Sequence, residues 1–546
     1  MTRSTRSFLL FFVAIFLALF LLYPVGSIFF RSVRIDGAWR LWNIELFLLD
    51  KNSLRILTTS VGLGLCVAGC SSLVGLFVAW VMFRCRFPGK ALCELCFLAP
   101  WFLPPFVGLL GIKSICNRYG LIPIDLFVPG SSVGIILLQT VHLFPLCYIT
   151  IRSALEKIPY EALEAATMLG CSRSMMARKI ILPLLGPALG AGFVLSMLGS
   201  LSDVGTPLLF EYRSHVAVQI FNTVFDLPVV SSGYVLVLVL LLIVLCIFAV
   251  KRYVERLPVH FDVRSQRPWP YLDASSSLKR FLWMLCVAAL AVVCILPQVS
   301  LFLLSCAELW FMSPLPQQYG MASFVQAFIH PITTQSFFYS AFLATAAATC
   351  VAAMSFIIAY AVQRDRSLLS RCMLFVSLLP LAIPGLIIAF GLATGFAGTW
   401  LDPRHTPTML LMAAYVVRKL PFGVTLMQSS LKQIPQVYEE AAIMCGAGSF
   451  ALFRRIMFPL YRSILGSILV ITFLSSLFEV SASLLLPMEE KYFPIAKALY
   501  ALQSRPDGLS LAAAYAVLVM LITMLGFFVT ARWQKRSIAS LIRGST

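Results

Sequence analysis

Residues 155–184 read LEKIPYEALEAATMLGCSRSMMARKIILPL, and residues 431–460 read LKQIPQVYEEAAIMCGAGSFALFRRIMFPL. The two stretches align without a gap at an offset of 276 residues and share 12 of 30 positions. Shared composition alone would give roughly three. Pro145/Pro421 precede the block at the same offset, and Pro100/Pro380, Pro104/Pro384 and Gly111/Gly391 align at 280. The chain is therefore a duplication. Each block is too polar to cross a bilayer and too periodic to be a plain linker. Pro159 and Pro435 suit a helix start, with Glu161, Glu164, Glu439 and Glu440 in the first turns. Gly170 and Gly446 suit a helix stop. A second short helix is expected to run to Pro183 or Pro459. Glu161, Glu164, Ala165 and Met168 fall on one face by i, i+3, i+4, i+7 spacing, and Val437, Glu440, Ala441 and Met444 form the matching face. Small alanines allow close backbone approach and methionine adapts to a groove, so each helix reads as one that lies in a partner's groove.

Outside these blocks the sequence is written for lipid. Of 546 residues, 60% are hydrophobic and only 12% charged, where a soluble chain carries about 25% charged residues. That excludes a disordered chain and argues against a soluble enzyme. Twelve apolar runs reach the length of about 20 residues needed to cross the hydrocarbon core. They fall near 8–30, 56–83, 91–112, 131–151, 184–204, 229–250, 281–305, 336–362, 372–396, 408–430, 463–482 and 509–531. The first is too long for a signal-peptide core and reads as a retained span. With the N-terminus inside, 28 Lys and Arg fall on the inner side and 12 on the outer, leaving aside Arg418 and Lys419 within a run. This bias places both termini in the cytoplasm, and it explains the net charge of +19 without nucleic acid. The loop at 31–55, with five basic residues, fits it worst.

Six spans return the chain to its starting side. The expected architecture is therefore all-α, two parallel six-helix repeats related by an axis along the membrane normal. Residues 1–250 form the first half, with its polar loop at 152–183. A basic, proline-containing linker covers 251–280, and residues 281–546 form the second half, with its loop at 431–462. The Arg418–Lys419 pair has two readings: a span interrupted at Lys419–Pro421, or a charge lining a pathway. The 15 cysteines lie mostly in apolar runs and the five histidines are scattered, so neither a disulfide framework nor a metal centre is expected.

The spacing Glu164-Ala165-Ala166, Gly170, Ile180, Leu182-Pro183, repeated as Glu440-Ala441-Ala442, Gly446, Ile456, Phe458-Pro459, resembles the EAA loop of permease subunits of binding-protein-dependent ABC importers. The resemblance implies a type I importer permease with a MetI-like fold in the bacterial cytoplasmic membrane. It implies that the loops dock on two cytoplasmic ATPase subunits, with Glu161, Glu164, Ala165, Ala166, Met168, Gly170, Glu440, Ala441, Ala442, Met444 and Gly446 at the contact. It implies a substrate-binding protein on the outer side and no cofactor in this chain. The sequence has no G-x-x-x-x-G-K-[ST] loop, so ATP hydrolysis falls to the partner. One fused chain here would supply both permease halves.

Fused permeases of this size resemble the ferric-iron branch, with thiamine and organophosphorus importers as relatives. Leu201-Ser202-Asp203-Val204-Gly205-Thr206-Pro207 is similar to a segment of that group, with Val204 where phenylalanine is usual. Asp203 and Glu479 sit at equivalent positions and, with Arg418, are the pathway candidates. Equally, each carboxylate could face water at the outer interface. Hard oxygen ligands suit Fe(III), whereas an anion would want Arg213, Arg418 or Lys419. The rival class is a major-facilitator secondary transporter, which shares the twelve spans and basic middle loop but not two EAA-type loops. A membrane scaffold that recruits a cytoplasmic protein is a third reading.

Overall fold

The computed structural model describes residues 3–35, 38–39, 42–125, 128–225, 231–255, 269, 272–273, 278–365, 367–433, 435–505 and 508–533. Most of the linker at 251–280 lies outside the described residues, as does the basic tail beyond 533. Ten helices among the described residues are long and apolar enough to cross a bilayer. In lipid the backbone must satisfy its own polar groups, and only the helix does so within one segment. The remaining two expected spans, 91–112 and 372–396, are each broken. Lys90–Trp101 and Pro105–Ile115 meet at 108°, and Leu368–Leu381 and Gly385–Gly395 meet at 105°. The break is written in the sequence. Pro104 and Pro384 cannot continue a helix, and the residue before a proline is driven to extended backbone, as at Leu103 with φ −137° and ψ 145°. Counting each bent pair as one span restores twelve.

Proline does not break every helix. The expected interruption at Lys419–Pro421 is absent: Pro407–Gln433 is one helix with Pro421 inside it. Ser132–Leu155 likewise runs through Pro145. Neighbouring helices can keep such segments continuous despite the single lost hydrogen bond. Nor does the short helix after each polar loop stop at its proline. Arg173–Met176 passes through a π-helical turn, Ala177–Ile181, directly into Leu182–Ser202. Ser449–Leu452, Phe453–Met457 and Phe458–Leu477 repeat that path. The wider turn accommodates Pro183 and Pro459, which lack an N–H and would crowd the carbonyl of an α-helical turn.

The chain divides into two compact units that do not follow the sequence halves. One takes residues 1–51, 219–241 and 322–545; the other takes 52–218 and 242–321. Each half's first span thus packs in the unit built mostly from the other half. In the first unit, Tyr23 donates its hydroxyl to the Gly395 carbonyl at 2.9 Å and Phe20 stacks on Phe396. A Cβ on Gly391 would stand 2.9 Å from the Pro24 carbonyl oxygen. In the second unit, Gly111 makes the same allowance for the backbone of Ser300 and Leu301 on helix Leu278–Ser305. The hydrophobic effect does not draw helices together within lipid, so close approach at small residues carries the packing. Glycine at 111 and 391 is what admits the exchanged span.

Each sequence half also carries a short helix between its fifth and sixth spans, Val216–Phe225 and Ile495–Gln503. The Val216 N–H donates to the Ser60 hydroxyl oxygen at 2.8 Å, and the Ile495 N–H donates to that of Ser340, also at 2.8 Å. Both serines are buried. Each satisfies a helix-end donor that has no water available.

Candidate functional site

The first polar loop folds into helix Tyr160–Met168, entered from Pro159 in extended conformation. It closes with Gly170 at φ +79°, the Gly170 N–H on the Thr167 carbonyl at 2.9 Å and the Cys171 N–H on Ala166 at 3.0 Å. The second loop is the same object: helix Val437–Met444, Gly446 at φ +80°, with bonds to Ile443 at 2.9 Å and from Ala447 to Ala442 at 3.0 Å. This paired closure needs a left-handed residue, and only glycine adopts it without strain.

The expected faces are open. Glu161, Glu164, Ala165 and Met168 are exposed, as are Val437, Glu440, Ala441 and Met444. Met168 is 90% exposed and Leu169 87%, with Met444 at 87%. A soluble surface rarely leaves such side chains bare in a cluster. Ala166 and Ala442, in contrast, are buried and turn toward the protein. They seat the helix rather than present it. Beside the second helix, a groove is lined by Tyr438, Ala441, Ala442, Gly446, Ala451 and Ile456.

What anchors each helix was not legible in the motif. Glu439, read as a first-turn charge, is buried. It binds Arg364 at 2.6 Å and accepts the Tyr360 hydroxyl at 3.0 Å, while Arg364 also donates to Gln436 at 2.8 Å. An ion pair this enclosed is strongly destabilising to break, because one charge is left without its partner. At the first loop the equivalent position is Leu163, also buried. There Trp269 packs edge-on against Trp80 and Phe83 and at a tilt against Tyr160, and its indole N–H donates to the Ile158 carbonyl at 2.8 Å.

The membrane-embedded candidates separate by unit. Asp203, half-buried, ends helix Leu182–Ser202. It accepts from Gln139 Nε2 at 3.1 Å and from the Thr206 N–H at 3.3 Å, and Gln139 in turn accepts the Ser200 hydroxyl at 2.6 Å. This is a capping carboxylate on the short helix Gly205–Leu209. Glu479 is 5% exposed and pairs with Arg418 at 3.2 Å, and Arg418 also donates to Ser481 at 3.0 Å. Gly385 makes the space: a Cβ there would overlap the Arg418 guanidinium. Arg418 is thus a paired cation on an unbroken helix, with its side chain about one-third exposed. Its neighbour Lys419 is half-buried and Arg213 is exposed.

Among the described residues no group of three His, Cys, Asp or Glu could hold a metal ion. The chain matches the family described as binding-protein-dependent transport system inner membrane component twice, over residues 71–258 and 354–538. It is 23% identical to a probable ABC transporter permease, y4fN, of Sinorhizobium fredii, over 84% of each chain. It is 24% identical to the Fe(3+)-transport system permease protein FbpB 2 of Haemophilus influenzae, over 79% of this chain and 81% of that one. It is 33% identical to the sulfate transport system permease protein CysT of Salmonella typhimurium, over 29% of this chain and 61% of that one. A duplicated all-α membrane chain, with a glycine-closed EAA-type helix in each copy and the family's signature over both, is an ABC importer permease of the binding-protein-dependent inner-membrane family, with two permease domains in one polypeptide.

Proposed function

We propose that the chain forms the translocation path of an ATP-driven importer and that its two exposed helices, Tyr160–Met168 and Val437–Met444, each grip one cytoplasmic ATPase subunit. The observation that carries this reading is the bare Met168–Leu169 and Met444 tips beside Glu164, Ala165, Glu440 and Ala441. Flexible apolar side chains ringed by carboxylates suit a groove in a soluble partner. Twelve crossings, with each bent pair counted once, leave both termini on one side of the membrane, and the Lys and Arg bias of the loops supports the cytoplasm as that side. A binding protein delivers substrate from the other side. Retention of an ATPase subunit by the purified chain tests the grip. Glu164→Lys with Glu440→Lys should abolish retention while leaving membrane insertion intact; retention at the wild-type level would refute it.

Ferric iron is the substrate we favour. Iron-transport permeases resemble both halves of this chain, whereas the sulfate permease resembles a single stretch. Asp203 and Glu479 supply hard oxygen atoms at equivalent positions. One feature supports a tetrahedral oxyanion instead: Arg418 is partly exposed, and its planar fork suits such anions. Uptake of radiolabelled ferric iron, sulfate and molybdate into proteoliposomes holding the complete complex separates the readings. Iron uptake that survives Arg418→Gln supports the first; sulfate or molybdate uptake lost in the same variant supports the second.

A further inference from the structure

The two coupling helices are held by different chemistry, and the difference leads to the segment joining the halves. Positions equivalent at offsets of 280 and 276 can be compared directly. Arg84 and Arg364 correspond, each at the inner end of a long span. Around Arg364 stand Tyr360, Gln436 and Glu439, all hydrogen-bonded to the arginine or to its carboxylate partner. The counterparts around Arg84 are Trp80, Tyr160 and Leu163. None of the three offers a carboxylate. What fills the space is Trp269, with the Arg84 guanidinium 5.1 Å from its ring centre. Trp269 is 9% exposed. Three residues on, Leu272–Asp273 pairs in parallel with Cys85–Arg86, directly after Arg84. Backbone and side chain therefore fasten the same short stretch to the root of the first loop.

We propose that Trp269 and Leu272–Asp273 form a strap by which the inter-half segment positions the first coupling helix, Trp269 acting from a distant part of the chain where Glu439 acts within the second loop. The indole meets the Arg84 guanidinium with its ring face and the loop backbone with its N–H, so one side chain holds the root of the loop at two points. The connection between the halves is then a working part of the coupling machinery. Trp269 is a positioning residue: it touches the loop's root and not the exposed face. The role of that face in gripping an ATPase rests on the reading above, but the strap itself can be tested without it.

The test is hydrogen exchange by mass spectrometry on the full chain in nanodiscs, without ATPase. Trp269→Ala should speed exchange of amides 160–168 about tenfold, the equivalent of one lost cation–π contact and one hydrogen bond, and leave 437–444 unchanged. Trp269→Phe keeps a ring and should give a smaller change in the same amides. Building the second loop's grip into the first, Trp80→Tyr with Tyr160→Gln and Leu163→Glu, should restore protection in the Trp269→Ala chain. Unchanged exchange in Trp269→Ala, or equal acceleration in both loops, overturns the strap. ATPase retention is then measured on the same variants. Loss in Trp269→Ala with recovery in the grafted chain supports the positioning role. Exchange that responds while retention stays at the wild-type level overturns that role and leaves the strap as a structural contact. Absence of retention by the wild-type chain counts against the proposed function alone.

Discussion

Asp203 and Glu479 occupy the same place in two copies of one fold, yet their surroundings differ at each facing position. Glu479 pairs with Arg418, which packs over Gly385 and bonds to Ser481; the residues at the equivalent positions of the first copy are His142, Pro105 and Gly205. The first copy holds its carboxylate with an amide and a backbone N–H. The second holds its carboxylate with a guanidinium that fits only because position 385 has no side chain. The two copies agree where the backbone is demanding: at Pro104/Pro384, at Gly111/Gly391 and at Gly170/Gly446. They diverge where only side-chain chemistry is at stake. A shared scaffold thus surrounds its two carboxylates with different electrostatics, and a similar asymmetry recurs at the roots of the two exposed loop helices.

The comparison can be broken most severely at Glu439. Glu439→Leu copies the first loop's residue without its tryptophan and strands Arg364, at a cost of about 3–5 kcal/mol. Thermal unfolding of the purified chain should register the loss, and Arg364→Met in the same chain should recover most of it. Failure to recover would mean the pair is not what anchors the helix. Gly385→Ala comes next. Its methyl displaces the Arg418 guanidinium, costing roughly 2–3 kcal/mol through overpacking and a weakened ion pair. Pro105→Ala, at the matching position, should lack that penalty, and equal losses at the two sites would remove the asymmetry. Gly170→Val should cost about 1–2 kcal/mol, because a β-branched residue is strained at φ +79°. Hydrogen exchange at 166–171 should rise locally, and an unaltered rate would show that the turn relaxes without strain. Ser60→Ala and Ser340→Ala should each cost about 1 kcal/mol, by leaving one buried N–H unmet. Unequal costs would reveal a further difference between the copies.

The smallest effect sharpens the comparison through pH. The second copy has an Asp402–Arg404 pair in the loop before helix Pro407–Gln433. Arg404 beside it, with the Gly398 N–H, holds the Asp402 carboxyl well below the ordinary carboxylate range. A carboxyl depressed on folding stabilises fully above its unfolded value of about 4, and that contribution is lost as pH falls through the lower folded value. Proteolysis of the 398–406 loop should therefore stay slow as the pH falls through 4, and Asp402→Asn should remove the protection. A loop equally open in both chains at pH 6 would show that the pair does not order it.

The sequence carried the locally encoded features far. Apolar runs of spanning length, the loop helices, their glycine closures and the duplication all depend on residues within a turn or two of each other, or on spacing alone. Even the two bent pairs were marked by Pro104 and Pro384, although uniform hydropathy across 91–112 and 372–396 disguised each bend as an ordinary span. Pro421 carried the opposite risk. It looked like a break, and the helix runs through it because packing outweighs one missing hydrogen bond. The exposed stripe of Glu161, Glu164, Ala165 and Met168 is legible from helical spacing, whereas Ala166 and Ala442, which the resemblance put at the ATPase contact, turn inward.

By itself the sequence determined a membrane chain made of two like halves, each presenting a short, acid-tipped helix with a glycine stop. Those are consequences of hydropathy, periodicity and permitted backbone angles. Only the tertiary structure decided that first spans are exchanged between compact units, that Arg418 answers Glu479, that Glu439 answers Arg364, and that Trp269 comes back from the linker to do likewise for Arg84. Each of these joins residues far apart in the chain. In an apolar setting many partners satisfy the same local pattern, and the choice among them is made by which side chains can meet without a clash or an unmatched charge.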